Sequence, residues 1–297
     1  MSPSEVGTIV DETAHSKDVS AEIIELARLG YITIRHIEEK GMFGAVDYEL
    51  KQAKLPDDSL PQHQQLILSK LFQEKLAEVD GSDVKTVKIS DIKQNFSKDM
   101  AAIKAAVYGS VVKKKYFEKN PAHVRGKYTV LGVIAMIGAW FAGPILDWLG
   151  VIAIAISGLI VLIFSFLMPR KTKKGTRARE HILGLKEYLR VAEKDRLTFH
   201  QAPKKNPERF EKLLPYAMVL GVEREWAKQF EGMGDIKPAW YSGPSDQAFS
   251  AVVLSNSLKD FSSVANSAMT ATASSGRSGF SGGSSGGGFG GGGGGSW

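Results

Sequence analysis

Residues 128–168 read YTVLGVIAMIGAWFAGPILDWLGVIAIAISGLIVLIFSFLM, 41 residues in which the single charge is Asp147. The run is too long and too apolar for a buried core helix, and one membrane crossing needs about 20 apolar residues. Two crossings therefore fit, joined by a tight turn for which Ala142-Gly143-Pro144 supplies breakers. The prediction is a two-helix transmembrane hairpin with spans at about 128–143 and 148–168. Tyr128 stands at the near interface and Trp140 and Trp148 bracket the turn, as an aromatic belt would place them. A carboxylate inside a membrane can mark an ion or proton site, but Asp147 lies at the turn, which favours an exposed loop charge. Ala135, Ala139 and Gly143 fall four apart, as do Ala153 and Ser157, so each span carries a stripe of small residues suited to packing the hairpin or to dimerisation.

Averaged over the whole chain the composition looks soluble, with 43% hydrophobic and 24% charged residues. The net charge of +6 invites a nucleic-acid reading until it is divided by region. Residues 1–112 hold 13 Lys and Arg against 18 Asp and Glu. The basic excess sits in two collars, Lys113, Lys114, Lys115, Lys119, Arg125 and Lys127 on one side and Arg170, Lys171, Lys173, Lys174, Arg177 and Arg179 on the other. That is the positive-inside pattern, which predicts both flanking regions and both termini on the cytoplasmic face and the turn outside. With no cysteine in the chain, disulfide scaffolds, thiolate metal sites and cysteine nucleophiles are excluded together.

Region 1–112 opens on Ser2-Pro3-Ser4-Glu5, a capping box with proline at the first helical position, followed by Val6, Ile9 and Val10 as a buried face. A second helix runs from about Asp18 to Leu29, with Val19, Ile23, Leu26 and Ala27 inward and Gly30 as terminator. Strand-like Tyr31–Ile37, a turn around 40–44 and the alternation Val46, Tyr48, Leu50 follow. Helix, helix, hairpin is the order of a winged helix. A partial repeat comes next, with a helix from about Leu60 to Val79, a strand Lys85–Ile89 and Ser90 as cap. It ends in a long helix whose Phe96, Met100, Ile103, Val107 and Val111 share one face. A second, wingless unit is expected there. In the first unit the would-be recognition helix presents Glu22, Glu25 and Arg28 on its polar side, and an acidic face in an acidic region opposes phosphate binding.

With the first collar at 113–127 and the second at 170–179, residues 170–240 predict the second collar and a helical cytoplasmic cluster: a helix from Arg179 to Phe199 and another opened by Asn206-Pro207-Glu208. Pro215 should kink or restart the latter before Gly221 ends it, and a short run Glu223–Phe230 follows. From 241 to 297 the chain turns to Ser, Ala, Thr and Gly, with 13 glycines in the last 22 residues, and the expectation is a disordered low-complexity tail. The six histidines (His15, His36, His63, His123, His181 and His200) make no i, i+4 metal pair and read as surface or loop residues. Gly109-Ser110 lies in a helix, not in a nucleophile elbow, and the 290–295 glycines lack the strand, helix and Lys-Ser/Thr of a phosphate loop. No catalytic, metal or cofactor site is predicted, and no enzyme.

Several segments carry a family resemblance: SPSEVGTIVDE and DVSAEIIELARLGYITI near the start, YLRVAEKDRL after the apolar block, EKLLPYAMVLGVEREWAKQF at 211–230, and the terminal GGGFGGGGGGSW. The chain resembles the YciQ-like predicted bacterial membrane proteins, a family built on domain of unknown function 2207. The resemblance implies a cytoplasmic-membrane location and supplies no activity and no catalytic residues. Members of the family begin with a signal peptide, an extracytoplasmic β-rich domain and a first transmembrane helix, so this chain is expected to correspond to a carboxy-terminal portion.

The expected role is a non-enzymatic scaffold or regulatory protein that meets the lipid bilayer and other membrane or cytoplasmic proteins, with homo-oligomerisation open. Its candidate contact residues are Tyr216, Trp226, Phe230 and Trp297, for which core packing is the alternative. The second reading is a membrane-anchored DNA-binding regulator using Asp18–Leu29 and the wing. A transporter is a third, poorly supplied with polar residues in the spans.

Overall fold

A computed structural model describes residues 1–38, 46–73, 85–144, 146–191, 206–231, 238–243 and 250–270. The chain is mainly helical with one small sheet. Helix α1 (Pro3–Asp11) starts as its capping box dictates, with the Ser2 amide donating to Glu5 Oε2 at 3.0 Å. In α2 (Ser16–Arg28) the His15 amide donates to Asp18 Oδ2 at 2.8 Å, and Gly30 at φ 83° carries the chain out of the helix. Val19, Ile23, Leu26 and Ala27 are buried as their spacing requires. So is the other side of α2. Asp18 and Glu22 are fully buried, Glu25 is 6% exposed, and α1 and β1 (Ile32–Glu38) pack around the helix. The expected outward acidic face does not exist, because Ser4 of the preceding helix and His63 and Gln64 from further along the chain cover it.

Strand β1 pairs antiparallel with β2 (Val46–Gln52), with Ile34 opposite Leu50 and His36 opposite Tyr48. The turn between them lies outside the described residues. Helix α3 (Gln62–Leu71) is followed by β3 (Thr86–Lys88), which pairs antiparallel with β2, Leu50 opposite Val87. The expected second unit is therefore no separate unit: its strand completes the sheet of the first. Helix α4 (Ile89–Lys113) buries Phe96, Met100, Ile103, Val107 and Val111 along one face, as predicted. Its entry is capped from outside. Ser90 does not act as the cap; Asp47 of β2 accepts from Ser90 Oγ at 2.7 Å.

Helices α5 (Pro121–Ala142) and α6 (Trp148–Ser165) pack against each other and leave Trp140, Phe141, Ile163 and other large apolar side chains exposed. The close approach is at Gly132 and Gly158, where an added Cβ on either would lie 3.0 Å from the other's carbonyl oxygen. Thr129 Oγ1 donates to Ser165 Oγ at 3.2 Å further down. The predicted stripe holds at the buried Ala139 but not at Ala153 and Ser157, which are exposed. By length and composition α6 alone among the described residues suffices to cross a membrane. Helix α5 spends its first two turns on His123, Arg125 and Lys127, so its apolar part begins only at Tyr128. The expected two-span hairpin thus has one qualifying helix. Asp147 is the N-cap of α6 and accepts from the Gly150 amide at 3.0 Å.

After α7 (Lys173–Val191) come α8 (Pro207–Leu220) and α9 (Glu223–Lys228). The predicted restart at Pro215 does not occur; α8 runs through it and stops at Gly221, φ 68°. The segment assigned to a structureless tail is ordered in two places. Strand β4 (Tyr241–Ser242) pairs parallel with β1, giving the order β3-β2-β1-β4. Helix α10 (Ala251–Thr270) packs on α2, α4 and α9. Ala251, Leu254, Leu258, Phe261, Ala265 and Ala268 recur at helical spacing and are all buried, so small residues do not prevent a core here. Glycine-rich residues 271–297 lie outside the described residues.

One large hydrophobic cluster runs from Val6 to Met269, beside a small second one at Ala14, Val107 and Tyr108. The regions on either side of α5–α6 are one packed body in which the amino-terminal helices and the carboxy-terminal ones share a core, not two clusters. Tyr48 shows the joint: its ring meets Phe261 edge-on at 5.2 Å and its hydroxyl donates to the Ser257 carbonyl at 3.0 Å. Phe261→Ala is therefore expected to destabilise the protein by about 3–5 kcal/mol, against less than about 0.5 kcal/mol for the exposed Ser263→Ala. Urea unfolding followed by tryptophan fluorescence measures both, and equal values would remove α10 from the core.

Candidate functional site

The two basic collars meet. Phe117 and Lys171 form an isolated antiparallel bridge, the Glu118 amide donates to the Arg170 carbonyl at 3.4 Å, and the Thr172 amide donates to the Tyr116 carbonyl at 3.0 Å. Gly175 makes this approach possible, since a Cβ there would sit 2.0 Å from the Tyr116 carbonyl oxygen, a backbone atom that cannot swing aside. The chain thus enters and leaves the apolar helices through one neck.

Four collar cations turn inward from the neck onto α1 and the residues just after it. Lys114 Nζ donates to Glu5 Oε1 at 2.5 Å. Lys171 pairs with Glu12, Arg125 Nη1 donates to Thr13 Oγ1 at 3.0 Å, and Arg179 Nε donates to the Val10 carbonyl at 3.3 Å. The last three gather at the carboxy-terminal end of α1, where the helix dipole favours positive charge.

Behind Lys114 lies a buried polar cluster at the start of α1. Glu5 is fully buried. Burial pushes its carboxyl up, but hydrogen bonds from Lys114, Ser110 and the Ser2 amide outweigh that and hold it below the ordinary carboxylate range. Glu22, also fully buried, accepts from the Ser4 amide at 2.7 Å and from Gln64 Nε2, with His63 Nε2 at 3.8 Å. Here too burial raises the carboxyl, while His63 and Ser4 overcome it. Both carboxylates sit at the amino-terminal end of α1, on the favourable side of its dipole. Ser2 Oγ lies 2.9 Å from His63 Nε2. Serine, histidine and carboxylate are thus within reach, but both neighbours crowd the same nitrogen, and Nδ1, the nitrogen that orients a catalytic imidazole, has no partner among the described residues. The arrangement satisfies the buried charge of Glu22.

Asp18 differs. One oxygen caps α2, and the other, Oδ1, is buried without a hydrogen-bond partner among the described residues. Gly7 leaves the space it fills, since a Cβ there would lie 2.6 Å from Oδ1. Burial pushes this carboxyl up to about 7, against the His15 amide and with the help of Asp11 and Glu22.

The sequence-predicted contact residues lie elsewhere. Trp226 and Phe230 are 1% and 2% exposed, with rings 4.8 Å apart, and the Trp226 indole donates to the Phe210 carbonyl at 3.3 Å. They lock α9 onto α8 and are core, not a contact surface. Tyr216 is half-buried and donates to the Met1 carbonyl at 2.9 Å. Trp297 lies outside the described residues, as does His200. His63, read as a surface residue, is fully buried in the polar cluster. The capping box pointed to Glu5, but nothing local in the sequence pointed to Glu22, His63 or Lys114 as its neighbours. Together with Glu5 they come from four separate segments.

Because the folded-state pKa of Asp18 is raised, the folded state holds a proton that the unfolded chain releases at about 3.8. Stability is then fully present below about pH 4, falls as pH rises to about 7, and is level above. Asp18→Asn is expected to flatten that fall, which amounts to a few kcal/mol at most. Urea midpoints from pH 4 to 8 measure it, and an unchanged slope in the variant assigns the fall to other groups.

No curated protein and no solved structure matches the chain. A family model described as the carboxy-terminal domain of a predicted membrane protein (DUF2207) matches residues 1–230, which take in both collars, the apolar helices, the buried acidic cluster and α9. The chain belongs to this predicted membrane protein family.

Proposed function

We propose that α5 and α6 cross the bacterial cytoplasmic membrane together, with the packed body and both termini on the cytoplasmic side. In this reading the protein acts without catalysis, as a scaffold or regulatory partner coupled to the membrane. Family membership and the apolar α6 support a bilayer association. The observation that carries the finer reading is the neck: two collars of like charge converge on it, so both ends of the apolar pair emerge on one side, and that side is the basic one. Helix α5 is short of apolar residues for a full crossing on its own, but it packs along the apolar α6, and flanking Lys127 can snorkel to the interface. The regulatory element of the proposal rests on the inward cations. Lys114, Lys171, Arg125 and Arg179 link the neck to α1, so a tilt or displacement of the apolar pair pulls directly on the core.

The DNA-reader alternative loses its reading helix. Helix α2 is enclosed, and a helix buried on all sides cannot enter a major groove. In this reading lipid covers the exposed apolar faces of α5 and α6.

The chain has no cysteine, so single exposed cysteines report topology without background. Leu55→Cys and Glu225→Cys in the packed body should be shielded from a membrane-impermeant maleimide in intact cells, and Leu146→Cys in the turn should be labelled. Labelling at 55 or 225, or protection at 146 that persists when the cells are permeabilised only on the outer face, overturns the topology.

A further inference from the structure

Four collar cations are spent on α1, and among those left over three converge. Lys119 from the segment after α4, Lys127 from the second turn of α5 and Arg170 from the exit of α6 line a cavity of about 210 Å³ together with Val124, Tyr128 and Met168. Glu118 lies at the same cavity and is its one carboxylate. All three cations are exposed, and none pairs with a carboxylate among the described residues. The cavity is amphipathic in a definite direction. Its basic residues belong to the neck, whereas Met168 leads into Phe166 and Leu167, which are 65% and 73% exposed at the exit of α6.

We propose that this cavity is a binding site for the phosphodiester headgroup of an anionic glycerophospholipid, with the acyl chains lying on Met168, Leu167 and Phe166. Three cations against one carboxylate select a phosphoryl group of net negative charge over a zwitterion, whose own cation would face Lys119 and Arg170. Arg170 can take two phosphoryl oxygens at once and the lysines act as point charges. A free phosphate would be served by the cations alone. The apolar wall continuous with α6 is what points to a lipid. Tyr128, an aromatic with a polar tip, lies at the level where such a headgroup sits. The proposal rests on the membrane reading of α5 and α6 given above.

The test uses the full chain in mild detergent, titrated with short-chain phosphatidylglycerol, with phosphatidylcholine of the same chain length and with inorganic phosphate, bound lipid being counted by native mass spectrometry. The expected result is a preference for phosphatidylglycerol that inorganic phosphate does not compete away. The combined variant Lys119→Gln, Lys127→Gln and Arg170→Gln should lose it by at least about 10-fold. A control that removes the same charge from the same collars outside the cavity, Lys113→Gln, Lys173→Gln and Arg177→Gln, should lose less than about 3-fold. Equal losses in the two variants would mean that diffuse collar charge binds the lipid, and overturn the site. Full competition by phosphate would make it a soluble-anion site and overturn the lipid assignment. If the triple variant does not fold, the three single substitutions are measured, and wild-type affinity in all three overturns the proposal. Failure of the membrane reading registers separately, in the labelling at position 146, so a hairpin off the membrane and a hairpin in it without this preference give different results.

Discussion

A carboxylate removed from water at the entrance of α1 sets the terms for much of this protein. Glu5 has no solvent contact, and an ionised group so placed persists only if its partners are delivered to it. Two come from its own turn and from α4, the Ser2 amide and Ser110. The third is Lys114, just past the end of α4 and already within the first collar. Satisfying Glu5 therefore fixes the end of α4 against the start of α1, and with it the point from which the chain departs for the apolar helices. Glu22 repeats the demand from α2, recruiting Ser4, Gln64 and His63. Two acidic residues that look like surface charges in the sequence are the pins of the interior.

The same constraint divides the collars. A belt of twelve basic residues reads in the sequence as one thing, a topology signal. In the structure it does two jobs. Lys114, Lys171, Arg125 and Arg179 turn inward and hold α1, while Lys119, Lys127 and Arg170 stay outward around a cavity at the foot of α5 and α6. Membrane attachment and the integrity of the packed body thereby share residues, so a change at the neck is felt in the core.

Local periodicity was a reliable guide to single elements. The capping box at Ser2–Glu5, the inward face of α2, the α4 stripe from Phe96 to Val111 and the terminator Gly221 all stand where spacing and propensity put them. What spacing does not carry is the partner across the chain. Helix α2 reads as having a solvent face because four of its apolar residues already make one good stripe; nothing in residues 16–28 announces that Ser4 of α1 and His63 and Gln64 of α3 will cover the other. Strand β3 was assigned to a second unit because its partner β2 is more than thirty residues earlier. The segment after 241 was misjudged differently. Its high content of Ser, Ala and Gly masked the stripe Leu254, Leu258, Phe261, Ala265, Ala268, which is visible once composition is set aside. Trp226 and Phe230 take the core-packing alternative, since large aromatic side chains are what a core selects.

The central claim is that the buried Glu5 carboxylate and the collar ammonium of Lys114 are coupled, tying the packed body to the neck. A double-mutant cycle with Glu5→Gln and Lys114→Met, read from unfolding free energies of the full chain in detergent, measures that coupling. Removing one partner of a fully buried pair costs about 3–5 kcal/mol because the other charge is left uncompensated, but the Lys114 side chain is 38% exposed and solvent screens it. The account predicts a coupling of about 2 kcal/mol, with each single variant clearly destabilised. Additivity of the two substitutions within about 0.5 kcal/mol would contradict it.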